Sequence, residues 1–318
     1  MRVARTLTED ETVLETAPYP VAGPGEVVCR VLACATCGSD VQSFYVRRKL
    51  PAVLGHEPAG EVVEVGAGVE GVAVGDRVAI HHHAPCGECR RCRRGHETLC
   101  ERFRSTRLDP GGFAEYVRIQ PELVGELLPL DGMDPVLATF TEPLACALRA
   151  QRRAGVAAGD AVLVVGAGCS GLLHIAAAHA TGVEAVWVRE PQPDRLERWG
   201  ATAHGNEPVD VAIVCTQRPE AIVAAAEALA PGGALCVYAR PPPGSPLGID
   251  GNAVFMRELE VTASWSAGPA DMRAAHALLA RGAVRPLEIV THRFPLEQTG
   301  AALAAQRSGE ALKAVVLP

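Results

Sequence analysis

The sequence predicts a mixed α/β plus β protein: a β-rich first part followed by a doubly wound α/β part. Three observations predict it. Up to about residue 140 the chain is rich in Val, Gly and Pro, with short apolar segments between glycine turns. From about Glu142, apolar runs alternate with Ala/Leu-rich helical stretches. Within the first part, four cysteines crowd into CGECRRCRRGHETLC, at Cys86, Cys89, Cys92 and Cys100.

In chain order, GEVVCRVLACA (25–35) and GEVVEVGAGV (60–69) read as strands. EPLACALRAQRRAG, from Glu142, has a helical pattern. AVLVVGAG (161–168) is a continuous apolar run that suits a parallel strand buried on both faces. Then come CSGLLHIAAAHATG as helix, AVWVRE (185–190) as strand and PDRLERWG as helix. VDVAIVCT (209–216) is a strand, PEAIVAAAEALAPGG a helix and ALCVYA a strand. This alternation argues for a doubly wound sheet. The tail from Thr291 reads as a helix and a last strand that return to the first part. The expected domains are 1–143, 144–267 and the returning 268–318, with the cysteine lobe at 84–104.

One element is expected to be missing. Only ATAHGNEP separates Gly200 from Val209. A strand and a helix do not both fit there, since two helical turns alone take about seven residues. The expected loss is the third strand, at the sheet edge, which would expose the 185–190 strand as a new edge or leave a loop or a partner chain covering it.

The bulk properties narrow the function. A length of 318 residues suits two domains. A net charge of −7 argues against general nucleic-acid binding. No apolar h-region follows Met1 and no run of eighteen apolar residues occurs, so neither export signal nor membrane span is expected. An odd cysteine count of 11, with four at metal spacing, reads as reduced thiols and metal ligands in the cytoplasm.

The four lobe cysteines are spaced C-x2-C-x2-C-x7-C. Four thiolates close a tetrahedral zinc site completely, so such a site braces structure and does no chemistry. The arginines at 90, 91, 93, 94, 102, 104 and 107 crowd the same lobe. They read as a solvated surface beside thiolates that positive charge helps ionise, not as an anion patch.

Gly166-Ala167-Gly168-Cys169-Ser170-Gly171 is a G-x-G-x-x-G between a predicted strand and a predicted helix. That context suits a dinucleotide pyrophosphate on the helix N-terminus, with Gly166, Gly168, Cys169, Ser170 and Gly171 around it. Glu190 ends the next strand, where an acid accepts from the adenosine ribose and repels a 2′-phosphate. NAD is therefore preferred over NADP, although Arg189 and Arg195 could each meet a phosphate. The plainer reading is a glycine turn beside an exposed Glu.

Three further motifs are Cys37-Gly38-Ser39-Asp40, Gly55-His56-Glu57-Pro58 and Thr141-Glu142-Pro143-Leu144. Cys37, His56 and a carboxylate form a mixed donor set suited to an open zinc site, which polarises an alcohol oxygen and lowers its pKa. Taken singly, each motif also fits a buried cysteine or a packed histidine.

The order of Cys-Gly-Ser-Asp, Gly-His-Glu, cysteine lobe, Glu-Pro-Leu and G-x-G-x-x-G resembles the zinc-dependent medium-chain dehydrogenase/reductases. It is most similar to their sorbitol and threonine dehydrogenase branch. Asp109-Pro110-Gly111-Gly112-Phe113-Ala114-Glu115-Tyr116 and His292-Arg293-Phe294-Pro295 extend the resemblance over essentially the whole chain. It implies a GroES-like β domain, a Rossmann domain and a cleft between them. It also implies two zinc ions per chain, one catalytic and one structural, and a homodimer or homotetramer.

Residue by residue, the resemblance implies Cys37 and His56 as catalytic zinc ligands. Glu57 is implied as the neighbouring carboxylate, and Glu142 as the third-ligand position. Cys146, one helical turn beyond Glu142, is an alternative ligand. Ser39 is expected to contact the reacting hydroxyl and begin proton release. Relatives often carry a relay histidine where Gln42 stands here, and Gln is no base at neutral pH. His82, four residues before Cys86, is expected to face the substrate and favour polyhydroxylated ones. Successive strand residues point to opposite faces, so His81, His82 and His83 are not expected to converge on one ion.

The expected function is oxidation of a secondary alcohol (a polyol, cyclitol, amino alcohol or sugar derivative) to a ketone, with hydride transfer to NAD. Gln42 and the shortened second half motivate an alternative, a zinc-bearing relative acting as a binding or regulatory protein.

Overall fold

Val-rich segments in the first 142 residues need partners for their apolar faces, and they find them in two sheets. The computed structural model describes residues 1–192 and 202–318. The chain divides into two compact units, Met1–Glu142 with Gly268–Pro318, and Pro143–Ala267.

In the first unit a long strand, Val27–Ala35, pairs along one edge with Glu57–Val65, antiparallel. Its other edge is shared. Tyr116–Ile119 covers Val27 to Arg30, and the tail strand Lys313–Leu317 joins at Cys34 and Ala35. The sheet continues through Arg77–Ala79 to Leu128–Pro129 on one side, and to Val290–Pro295 on the other. A small antiparallel sheet joins Thr12–Thr16, Arg2–Thr6 and Ala52–Val53. Val27, Val62, Phe113, Val117 and Val316 fill the core beneath.

One register matters for the site. Val315 lies opposite Ala35, and Ala35 lies opposite Glu57. The tail strand and the Gly-His-Glu strand therefore flank the same residue, although hundreds of positions separate them in sequence.

The second unit is a parallel sheet in the order Thr202–Ala203, Ala185–Arg189, Ala161–Val165, Val209–Val214, Leu229–Val237, Glu260–Ala263. Ala161–Val165 sits inside the sheet, and Val162 to Val164 have no exposure, which is why the run is apolar without alternation. The helix Cys169–Ala180 follows it. A helix, Thr141–Arg153, spans the unit boundary.

The expected loss of the edge strand is corrected here. A two-residue strand, Thr202–Ala203, pairs in parallel with Trp187 and Val188, and the His204 amide extends the ladder to the Val188 carbonyl. The stretch from His204 to Pro208 has no helix. A strand needs only a pair of residues to satisfy a neighbour's backbone, whereas a helix needs at least a full turn. The short segment kept the former and dropped the latter.

Candidate active site

Cys37 caps a short 3₁₀ turn, Gly38–Val41, and its Sγ accepts from the Ser39 amide at 3.5 Å. The Cys37 amide in turn donates to Asp40 Oδ2 at 2.9 Å. Asp40 Oδ1 lies 3.3 Å from His56 Nδ1, so the carboxylate fixes the turn and orients the imidazole together. Such an outer partner leaves Nε2 of the ring as the available donor. Burial pushes the Asp40 carboxyl up, but the charge and hydrogen bond of His56 outweigh it and hold it below the usual range. Burial likewise opposes charge on His56, and Asp40 and Cys37 override it. The field at this point favours a cation.

Ligand atoms of Cys37, His56 and Glu57 lie within 4.8 Å of one another. Glu57 is 1% exposed and its Oε2 accepts a hydrogen bond from the ammonium of Lys313, itself 2% exposed. Its other oxygen, Oε1, is buried and has no hydrogen-bond partner among the described residues. An unpartnered buried carboxylate oxygen beside a thiol and an imidazole fits a metal ion, which would satisfy it. Burial raises Glu57 to about 7, opposed by Lys313 and His56 and reinforced by the charge of Glu142.

Glu142, buried, is the second residue of the helix Thr141–Arg153, and it lines one small cavity with Glu57, Thr141 and Ile80. It falls outside the trio defined by Cys37, His56 and Glu57, as does the buried Cys146. Ser39 follows Cys37 on the 3₁₀ turn, half-buried. The His82 ring centroid is 5.0 Å from that of His56. The strand ends at Ala79, so alternation does not govern the histidine run. The His82 and His83 ring centroids lie 4.0 Å apart with their planes tilted by 46°, and His83 Nδ1 meets the Thr106 carbonyl at 2.8 Å.

The lobe is built differently. Its Sγ···Sγ separations are 3.5 Å for Cys89–Cys92, 3.6 Å for Cys86–Cys100 and 3.9 Å for Cys86–Cys92. Four sulfurs each about 2.3 Å from a central zinc stand roughly 3.8 Å apart. Burial opposes ionisation of Cys100, but the amides of Cys86 and Phe103 hold it down at about 6. The four side chains thus fit a closed metal site.

In the second unit a side chain on Gly171 would sit 1.8 Å from the Gly166 carbonyl oxygen, which enforces glycine where helix meets strand. A Cβ on Gly168 would meet nothing within 4 Å, leaving the loop open to a phosphate at the start of the helix. Cys169 and Ser170 form its first turn, both half-buried. Glu190 Oε2 accepts from the Ala167 amide at 2.7 Å, and Oε1 from Gln192 at 3.1 Å. The acid is therefore anchored to the loop itself. Arg195 lies outside the described residues.

Residues 23–129 match the alcohol dehydrogenase GroES-like domain, and residues 188–317 match the zinc-binding dehydrogenase family. A sorbitol dehydrogenase of Bacillus subtilis is 31% identical over 100% of this chain and 97% of its own length. This chain belongs to the zinc-dependent medium-chain dehydrogenases. An L-threonine 3-dehydrogenase of Pyrococcus horikoshii is 42% identical over 185 residues, 56% of this chain. Those residues span 52% of that protein, so the chain spans about half the length of such curated relatives. The solved structure of a zinc-binding dehydrogenase from Sinorhizobium meliloti, bound to NADP, superposes with a TM-score of 0.89. It is 28% identical, covering 100% of this chain and 99% of that one. The GroES-like and Rossmann architecture of the family is thereby assigned.

Two site residues had escaped the sequence. Asp40 stood inside the Cys-Gly-Ser-Asp motif, and its spacing to Cys37 was the available signal. Lys313 carried none, because only sheet pairing brings it to Glu57.

Proposed function

We propose that this protein is a zinc-dependent oxidoreductase that converts a secondary alcohol, of polyol, cyclitol, amino alcohol or sugar type, to a ketone. Support comes above all from the unpartnered Glu57 oxygen beside Cys37 and His56. Cys37 and His56 hold the catalytic zinc, Glu57 supplies the neighbouring carboxylate and Glu142 a second one beside it. Bound there, zinc would act as a Lewis acid toward the reacting hydroxyl. A nicotinamide dinucleotide would accept the hydride. Ser39 takes the hydroxyl proton and passes its own to water, since Gln42 cannot accept it, and Asp40 keeps His56 oriented throughout. His82, beside His56, gives the pocket a polar wall.

NAD is the proposed cofactor, on the loop Gly166–Gly171 with Glu190 toward the ribose; Arg195 remains a proposed neighbour of that site. Cys86, Cys89, Cys92 and Cys100 hold a second, structural zinc. Cytoplasmic residence and a homodimer or homotetramer complete the proposal. Among the described residues, no helix is long and apolar enough to cross a membrane.

The test is a panel of polyols, cyclitols, threonine and simple secondary alcohols, assayed with NAD and with NADP before and after chelation. Reduced cofactor should form with a polar secondary alcohol and disappear with the metal. Turnover that survives complete removal of metal from the Cys37 site would refute the proposal.

A further inference from the structure

The shortened edge of the second unit holds an interaction that the dehydrogenase reading leaves unused. Arg189 and Glu190 end the strand beside the phosphate loop, and their side chains are committed to different partners. Glu190 is anchored by the amides of Ala167 and Gln192. Arg189 donates from Nε to His204 Nδ1 at 3.1 Å, and from a terminal nitrogen to the Ala224 carbonyl at 2.8 Å.

His204 is itself fixed from three sides. Its Nε2 lies 2.9 Å from the Glu207 carbonyl, an acceptor, so Nε2 carries the proton and Nδ1 keeps its lone pair for Arg189. Its backbone amide donates to Val188, and its ring stands edge-on to Trp187 with centroids 6.3 Å apart. The brevity of the segment is what puts it there. With no helix between Thr202–Ala203 and Val209, the chain turns back at once and leaves an imidazole beside the last residue of the neighbouring strand.

The electrostatic consequence concerns the adenosine end of the cofactor. A carboxylate next to the ribose disfavours a 2′-phosphate, but an adjacent guanidinium would offset that penalty, because arginine pairs with phosphate through paired N–H donors. With Arg189 held by His204 and Ala224, its guanidinium does not offset the Glu190 charge. We propose that His204 is a positioning residue for cofactor selectivity: it withholds Arg189 from the 2′ position and so favours the dinucleotide without the phosphate. This rests on the reading of the second unit as a nicotinamide dinucleotide site.

The test is calorimetric titration of the full-length, zinc-loaded protein with NAD and with NADP, alongside kcat/KM for each once a substrate is found. His204→Ala should raise NADP affinity relative to NAD by about tenfold, one charge-assisted phosphate contact. His204→Asn, whose side-chain oxygen can still accept from Arg189, should keep the wild-type ratio. The double variant His204→Ala/Arg189→Leu should return toward it, which ties the gain to Arg189. Far-ultraviolet circular dichroism confirms that each variant is folded, and His204→Leu, which also lacks an acceptor for Arg189, carries the comparison if His204→Ala is not. A ratio shifted by Asn as much as by the acceptor-free variant would overturn the proposal. So would an unchanged ratio in folded His204→Ala, or a gain that persists in the double variant. If the wild-type protein binds neither dinucleotide, the cofactor reading falls and this proposal with it. Binding with an unaltered ratio sinks the proposal alone.

Discussion

The two metal-competent clusters of the first unit differ in how far the chain must travel to build them. The lobe takes four identical soft donors from the stretch Cys86 to Cys100, and the local turns alone bring their sulfurs within 3.9 Å for the closest pairs. The other cluster takes a thiol from a 3₁₀ turn and two residues from the next strand region, and it leans on Asp40 and on a lysine from the tail. The first would satisfy a metal completely and leave nothing for substrate. The second is mixed and has one unpartnered carboxylate oxygen. Closed and local suits a brace; open and assembled from afar suits chemistry.

The largest expected effect separates the two clusters directly. Cys37→Ala should lower turnover by at least about a thousandfold, the loss of several kcal/mol of Lewis-acid stabilisation. Metal analysis should then find one zinc fewer, with the lobe zinc retained. Cys100→Ser should do the reverse, lowering the thermal midpoint sharply because structural zinc contributes to folding itself. Equal loss of both metals in either variant would erase the distinction.

Lys313→Met probes the assembled cluster from its far end. It removes the partner of a buried carboxylate and should cost about 3 kcal/mol in urea unfolding at neutral pH. Lys313→Arg should recover part of it. An unaltered midpoint would mean that Glu57 loses nothing when its ion pair is removed.

Acid would release metal from both proposed sites, so the second unit, which has no such cluster among its described residues, supplies the control. His174 is fully buried there, against Gln151 and edge-on to Tyr238, and burial depresses it to about 3. Its unfolded value is about 6.5. Between those values the unfolded chain binds a proton that the folded chain refuses, so stability is full above about pH 6.5 and falls as pH drops. The loss should reach about 2 kcal/mol by pH 5. His174→Leu should flatten that slope in denaturant melts; an unchanged slope would assign acid sensitivity elsewhere.

Asp40→Asn should give the smallest effect, about tenfold weaker metal binding at the Cys37 site, since an outer partner orients the ligand without touching the ion. Competition with a chromogenic chelator measures it. The lobe should be unaffected.

Much of this was legible in the residues, and the reasons are local. Apolar runs without alternation marked the parallel strands, because both their faces are covered. Motif order marked the family. The edge of the second unit was misjudged because length arithmetic excludes a helix yet cannot exclude a strand two residues long. The histidine run lies beyond the strand, which stops at Ala79, so strand alternation does not set its ring directions.

By itself the sequence determined the lobe, the glycine loop and the alternation of strands and helices, since each depends on spacing within a few turns of chain. Tertiary structure decided which oxygen of Glu57 is held by Lys313 and which is left unpartnered, that Asp40 serves both Cys37 and His56, and that Arg189 is turned to His204. Those contacts depend on register between distant strands and on competition for buried partners. No window of sequence contains both sides of that competition.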